Sequence, residues 1–140
     1  MKKTVCKFLL LLGMLPIISC TSELEFYPIE LSTEGIDFVK VNQLTLSTEI
    51  PSDGINFSIT GVGEYADRIC VSDVTIDGSV QNNPTLPITS FDGDWGSFNQ
   101  NGNTIDFVIT PNNGSAKRIL DFTIGGGYWV RYLRLTQSSN

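Results

Sequence analysis

The chain of 140 residues contains no histidine. That removes the commonest general base near neutral pH and, with it, the usual serine and cysteine triads. Cysteine is scarce, with Cys6, Cys20 and Cys70 the whole complement. Basic side chains are outnumbered by acidic ones, nine against fifteen. Such a balance argues against a nucleic-acid partner and against docking on anionic lipid through a basic patch. No apolar run approaches the roughly 20 residues that a membrane-spanning helix needs. No internal repeat is visible either.

What is present begins with an address. Lys2, Lys3 and Lys7 form a positive leader, and Phe8 to Leu15 is apolar apart from Gly13. This order of charge, apolar run and small residues is that of a cleaved secretory signal. The run Ile17-Ile18-Ser19-Cys20 resembles a bacterial lipobox. That resemblance implies a lipoprotein signal peptide over residues 1–19 and acylation of Cys20 as the first mature residue. Several acyl chains at one terminus anchor a protein stably where one would not. The mature chain keeps six of the nine basic residues and all fifteen acidic ones, a net charge of −9. Cys70 is then left without a disulfide partner. It sits in a strand-like stretch and reads as a small packed side chain, with no histidine to activate it.

Residues 20–37 read as an acidic tether, carrying Glu23, Glu25, Glu30, Glu34 and Asp37 together with Pro28. The apolar Phe26, Tyr27, Ile29 and Leu31 offer an alternative, an edge strand packed on the domain. An acidic segment just after an acylated cysteine also resembles the tag that carries Bacteroidetes lipoproteins to the outer face. It implies an outer-membrane anchor with the protein displayed at the cell surface.

Residues 38–140 are patterned for strands. Val39 to Leu46 alternates with a change of phase that suggests a bulge. Ile55, Phe57 and Ile59 alternate with Asn56, Ser58 and Thr60. Ile69 to Ile76 runs into the turn dipeptide Asp77-Gly78. Asn82 to Pro87 holds two prolines and is excluded from any central strand. Trp95 to Asn99 is expected to pair with Thr104 to Thr110 across Asn101-Gly102, a strong hairpin signal. Two further runs, Arg118 to Ile124 and Trp129 to Gln137, flank the triple glycine Gly125-Gly126-Gly127, which reads as a turn. About seven to eight strands with turns between them predict an all-β sandwich. Alternation places Arg118, Leu120, Phe122 and Ile124 on one face, with Arg118 at the rim. In the last strand Leu133, Leu135 and Gln137 point one way, and Tyr128, Val130, Tyr132 and Arg134 the other.

The series Trp95, Asn112-Asn113-Gly114, Arg118-x-Leu120-x-Phe122-x-Ile124 and Leu133-x-Leu135-x-Gln137 resembles the BACON module. The name stands for Bacteroidetes-associated carbohydrate-binding often N-terminal domain. The resemblance covers roughly residues 90–137 and implies an immunoglobulin-like sandwich with a glycan-related or spacer role. It transfers no binding residues, because its motif consists of turn and core positions.

Candidate chemistry is correspondingly spare. Two carboxylates could in principle serve a glycosidase, but fifteen acids are expected on an acidic surface anyway. Asp92-Gly93-Asp94 resembles half of an oxygen-ligand loop for calcium; a polar turn before Trp95 is the simpler reading. No metal and no cofactor are expected. A sugar would need exposed aromatic faces beside hydroxyl-binding groups, and the candidates are Tyr128, Trp129, Tyr132, Trp95 and Phe91. The expectation is a non-catalytic, lipid-anchored module binding a polysaccharide or host glycan. The alternative is a structural or spacer subunit that docks on a partner protein in the cell envelope.

Overall fold

Alternation of β-branched and aromatic residues with polar ones lets a strand bury one face and solvate the other. Almost every such run in the chain forms a strand. The computed structural model describes residues 25–81 and 88–140. The lipobox with Cys20, the signal stretch and the Asn82–Pro87 segment lie outside these residues.

Among the described residues twelve strands form: β1 (Tyr27–Pro28), β2 (Glu30–Glu34), β3 (Val39–Lys40), β4 (Thr45–Ile50), β5 (Ile55–Val62), β6 (Val71–Ile76), β7 (Ser79–Val80), β8 (Ser90–Gly93), β9 (Gly96–Asn101), β10 (Thr104–Ile109), β11 (Arg118–Gly126) and β12 (Trp129–Gln137). A 3-10 turn, Ala66–Arg68, precedes β6. The excess over the expected count comes from the two-residue β1, β3 and β7 and from β2, which lies in the segment read as a tether.

The strands make two sheets. The larger has the order β3-β4-β12-β11-β6-β7, with β1 added parallel to the start of β12. The smaller has the order β2-β5-β10-β9-β8. With β5, β6 and β9 to β12 taken as strands B to G, an A-B-E-D sheet faces a G-F-C sheet. This is the immunoglobulin-like arrangement. β4 pairs parallel with β12 from Tyr132↔Thr45 to Gln137↔Ile50.

The core lies between the two inner faces. Phe57 stacks on Phe107 at 4.8 Å, and Phe107 meets Phe122 edge-on at 5.0 Å. Ile59, Ile105, Leu120, Ile124 and Leu135 are fully buried around them. Leu120, Phe122 and Ile124 do share the core face as their spacing predicts. The head of Arg118, on a residue half-buried at the rim, is also held by hydrogen bonds. Its Nε donates to Gln137 Oε1 at 2.9 Å, and an Nη2 hydrogen bond goes to the Thr110 carbonyl at 2.8 Å. Gln137 Nε2 donates to the carbonyls of Thr110 and Ser52. Asn112 Nδ2 donates to the Ala116 and Ser138 carbonyls. The Asn-Arg-Gln series is therefore a polar knot that ties the β10–β11 connection to the end of β12.

Two sequence expectations change. The phase shift between Val39 and Leu46 is a hairpin rather than a bulge. Asn42 Oδ1 accepts the N–H groups of Leu44 and Thr45, and this turns the chain between β3 and β4. The segment before Phe38 is also more than a tether over its described part. Ile29 is fully buried, β1 pairs with β12, and β2 forms an edge of the smaller sheet. A buried isoleucine outweighs the acidic composition of its neighbours, because the charges alternate outward from it.

Candidate ligand-binding surface

Five aromatic residues are candidates for sugar contact, and the fold separates them. Trp95 occupies the β8–β9 turn, yet its ring points inward and only 2 % of the residue is exposed. It stacks on Phe91 at 5.7 Å and meets Phe122 edge-on at 5.3 Å. Phe91 is partly buried between Trp95 and Phe98. Trp95 offers no free face to a ligand and belongs to the core, and Phe91 packs partly buried against that core. Their ring area completes one end of the hydrophobic core, where burial is worth more than exposure. Asp92 pairs with Ser97 across the same hairpin, and Asp94 is a turn residue beside Trp95. Among the described residues no group of three or more acids, cysteines or histidines converges on a point that could hold a metal.

Tyr128, Trp129 and Tyr132 are close in sequence but look in different directions. Tyr128 is half exposed in the two-residue turn between β11 and β12. Trp129 begins β12 on the inward-facing series with Arg131, Leu133 and Leu135. It caps the open end of the sandwich, contacted by Tyr65 at 5.3 Å, with the Arg68 guanidinium 4.9 Å from its ring centroid. Tyr132 lies on the opposite, outward face of β12 and is 39 % exposed.

Around Tyr132 the register builds a groove. Thr123 of β11 and Thr45 of β4 stand directly opposite Tyr132 on its two sides. Two residues along, Arg134 faces Asp121 on β11 and Ser47 on β4. The Arg134 guanidinium donates through Nε and Nη2 to the two Asp121 oxygens at 2.7 and 2.9 Å. This bidentate bond, followed by the Asp121 charge, raises the Arg134 pKa above its ordinary value. The space over these residues is bounded by Val41 and Asn42 of the β3–β4 loop and measures about 400 Å³. One aromatic ring, two threonine hydroxyls and a fixed guanidinium–carboxylate pair thus border one shallow groove. Those groups can cover the C–H face of a sugar ring and both donate to and accept from its hydroxyls.

Sequence reading missed Arg131 altogether. It is 8 % exposed, and it donates from Nε to the Ile29 carbonyl at 2.9 Å and from Nη1 to the Gln43 carbonyl at 2.8 Å. Burial pushes its pKa down, partly offset by the charge of Glu30. Its role is to clamp the entering chain and the β3–β4 loop onto β12. The signal was present, since Arg131 shares the parity of Leu133 and Leu135. Cys70 is a free, half-buried thiol whose pKa is raised by desolvation.

No protein-family model matches the chain, and no curated protein does. Among solved structures, the chain is similar to a protein from Bacteroides thetaiotaomicron determined by NMR. The TM-score is 0.65 at 18 % identity, over 88 % of this chain and 96 % of that one. It also matches titin domain M7, with a TM-score of 0.44 at 16 % identity over 74 % of this chain and 93 % of that one. These likenesses concern the fold alone. No helix among the described residues is long and apolar enough to cross a membrane.

Proposed function

We propose that the protein is a non-catalytic, lipid-anchored envelope module of BACON type that binds a glycan in the groove beside Tyr132. The observation that carries this reading is the exposed Tyr132 ring, flanked in register by Thr45 and Thr123 and followed by the Arg134–Asp121 pair. A groove of about 400 Å³ lies within the span of roughly 300–1,000 Å³ usual for small-ligand sites. It is open, as a site for one or two residues of a polysaccharide chain must be. The lipobox around Cys20 and the acidic segment after it support anchoring at the outer membrane with the sheet face toward the cell exterior. The BACON resemblance supports a carbohydrate as the ligand class.

The test is affinity electrophoresis of the detergent-solubilised full chain through gels containing plant, microbial and host polysaccharides. Retardation by one glycan class is expected. Tyr132→Ala should abolish it and Trp129→Phe should leave it intact, with the thermal midpoint of the Tyr132 variant close to that of the parent. No retardation across the panel would sink the glycan reading.

A second reading has its own observation. Val39 and Val41 at the β3 edge are 70 % and 61 % exposed, and among the described residues no strand pairs with the outer side of β3. A partner protein of the envelope could add a strand there and cover both valines. Val39→Lys would then break co-purification of that partner while leaving polysaccharide retardation unchanged.

A further inference from the structure

The strand registers sort the connections into two ends. Trp129, Thr45 and Val71 begin their strands at the end where β5, β9 and β11 finish. The β3–β4, β5–β6, β9–β10 and β11–β12 connections therefore gather there, and the chain enters at the same end through Glu25 to Pro28. The Asn112 knot and the final residues occupy the opposite end.

The entry end is also where exposed aromatic rings collect. Phe26 is 41 % exposed, Tyr27 49 % and Tyr128 51 %. Tyr27 pairs with Trp129, and its N–H donates to the Tyr128 carbonyl at 2.7 Å. Trp129 and Tyr65 close the group from inside the sandwich. A globular domain has no internal reason to expose three rings around one chain entry.

Covalent geometry limits how far this end stands from the proposed acylation site. Five Cα–Cα steps separate Cys20 from Glu25, a reach of at most about 18 Å when fully extended. An acyl chain on Cys20 would keep the aromatic end within about 18 Å of the acyl boundary, close enough to reach a headgroup layer about 5–8 Å deep. Tyrosine and tryptophan favour that layer, with the ring against the acyl boundary and the polar tip in water. Resting on the lipid-anchor reading, we propose that the entry end of the sandwich seats Phe26, Tyr27 and Tyr128 in the headgroup region of the bilayer. The anchor thus fixes the domain's orientation as well as its location.

Charge selects the kind of surface. Glu25, Glu30, Glu64 and Asp67 are exposed at this end, against Arg68 and, beside the β3–β4 connection, Lys40. The seat suits a zwitterionic surface and is weakened by an anionic one. Docking would leave the Tyr132 groove facing sideways, about 10 Å along β12 from Trp129.

The experiment uses the full lipidated chain in phosphatidylcholine vesicles carrying brominated acyl chains, with Trp129 as the reporter. The Trp129→Phe variant supplies the background from buried Trp95. In seated protein the Trp129 emission should fall roughly twofold, and access by aqueous acrylamide should fall alongside it. The Tyr27→Ser/Tyr128→Ser double variant should float with the vesicles yet lose the quenching, as should the parent chain when phosphatidylglycerol is included. A chain that floats with Trp129 unquenched overturns the seating while leaving the anchor reading intact. A chain that does not float overturns the anchor reading and the seating with it. Tyr132→Ala should quench like the parent, which separates this proposal from the fate of the glycan reading.

Discussion

Gln137 and Arg118 show how much one side chain can hold. Gln137 is fully buried, and its amide joins the Arg118 guanidinium to the carbonyls of Thr110 and Ser52. Removing one partner strands the others without water. Gln137→Ala is expected to lower stability by about 2–4 kcal/mol, with glycan retardation retained once the protein is folded. Denaturant titration measures the loss, and a change below about 0.5 kcal/mol, the range of an inert surface substitution, would contradict the network's role. Cys70 gives a prediction of opposite character. Its thiol pKa is raised by burial, so the folded state holds the proton past pH 9.0, where the unfolded thiol has begun to release it. The unfolded state then binds fewer protons, and stability contributed below that pH drains away as pH rises through the folded value. Cys70→Ala should flatten the alkaline limb of a plot of thermal midpoint against pH. A limb of unchanged slope would place the cause elsewhere.

At the scale of elements, the β11–β12 hairpin governs the entry end. Gly127 has a φ of +64° at the first position of a two-residue turn, the arrangement of a type II′ hairpin. Gly125 has a φ of +88°, and a Cβ there would run into Ile29 Cδ1 and the Trp129 carbonyl. That close approach is what allows Ile29 to bury itself against β11 and β12. Gly125→Ala is expected to cost about 1–3 kcal/mol and to free the entering strands first. Hydrogen exchange would show it, with protection lost at Tyr27 and in β2 before β10. The triple glycine was legible as a turn, and Asp77-Gly78 was legible as another. Both of its residues carry positive φ. The turn between β9 and β10 falls one residue beyond the expected dipeptide, on Gly102-Asn103. Local chemistry marks that a chain reverses, whereas pairing of Asn101 with Thr104 chooses the residues.

For the whole molecule, the fold puts the proposed glycan groove and the proposed membrane-facing end on different surfaces. The outer face of the larger sheet presents Tyr132 and the Arg134–Asp121 pair, while the inner faces hold almost all of the apolar area. Breaking the core should therefore remove both surfaces together. Phe107→Ala, at the meeting point of Phe57, Phe98 and Phe122, is expected to cost about 3–5 kcal/mol. Glycan retardation and interfacial quenching should then disappear in parallel on heating. Loss of one with the other retained would mean that the two surfaces do not share a single cooperative unit.

Apolar periodicity by itself determined that the chain is a β-sandwich, which faces Leu120, Phe122, Ile124, Leu133 and Leu135 take, and that Asp77-Gly78 turns. These are local consequences of a two-residue repeat and of residues that tolerate positive φ, so they can be read without neighbours. Tertiary structure alone decided that Trp95 is core with Phe91 packed against it, that Arg131 is buried as a clamp, and that Ile29 draws an acidic segment into the fold. It also decided that Trp129 and Tyr132 face opposite ways while Tyr132 meets Thr45 and Thr123. Each of these depends on which strand lies alongside, a pairing between residues up to 102 positions apart. Exposure is a property of the assembled surface, and no single run of sequence carries it.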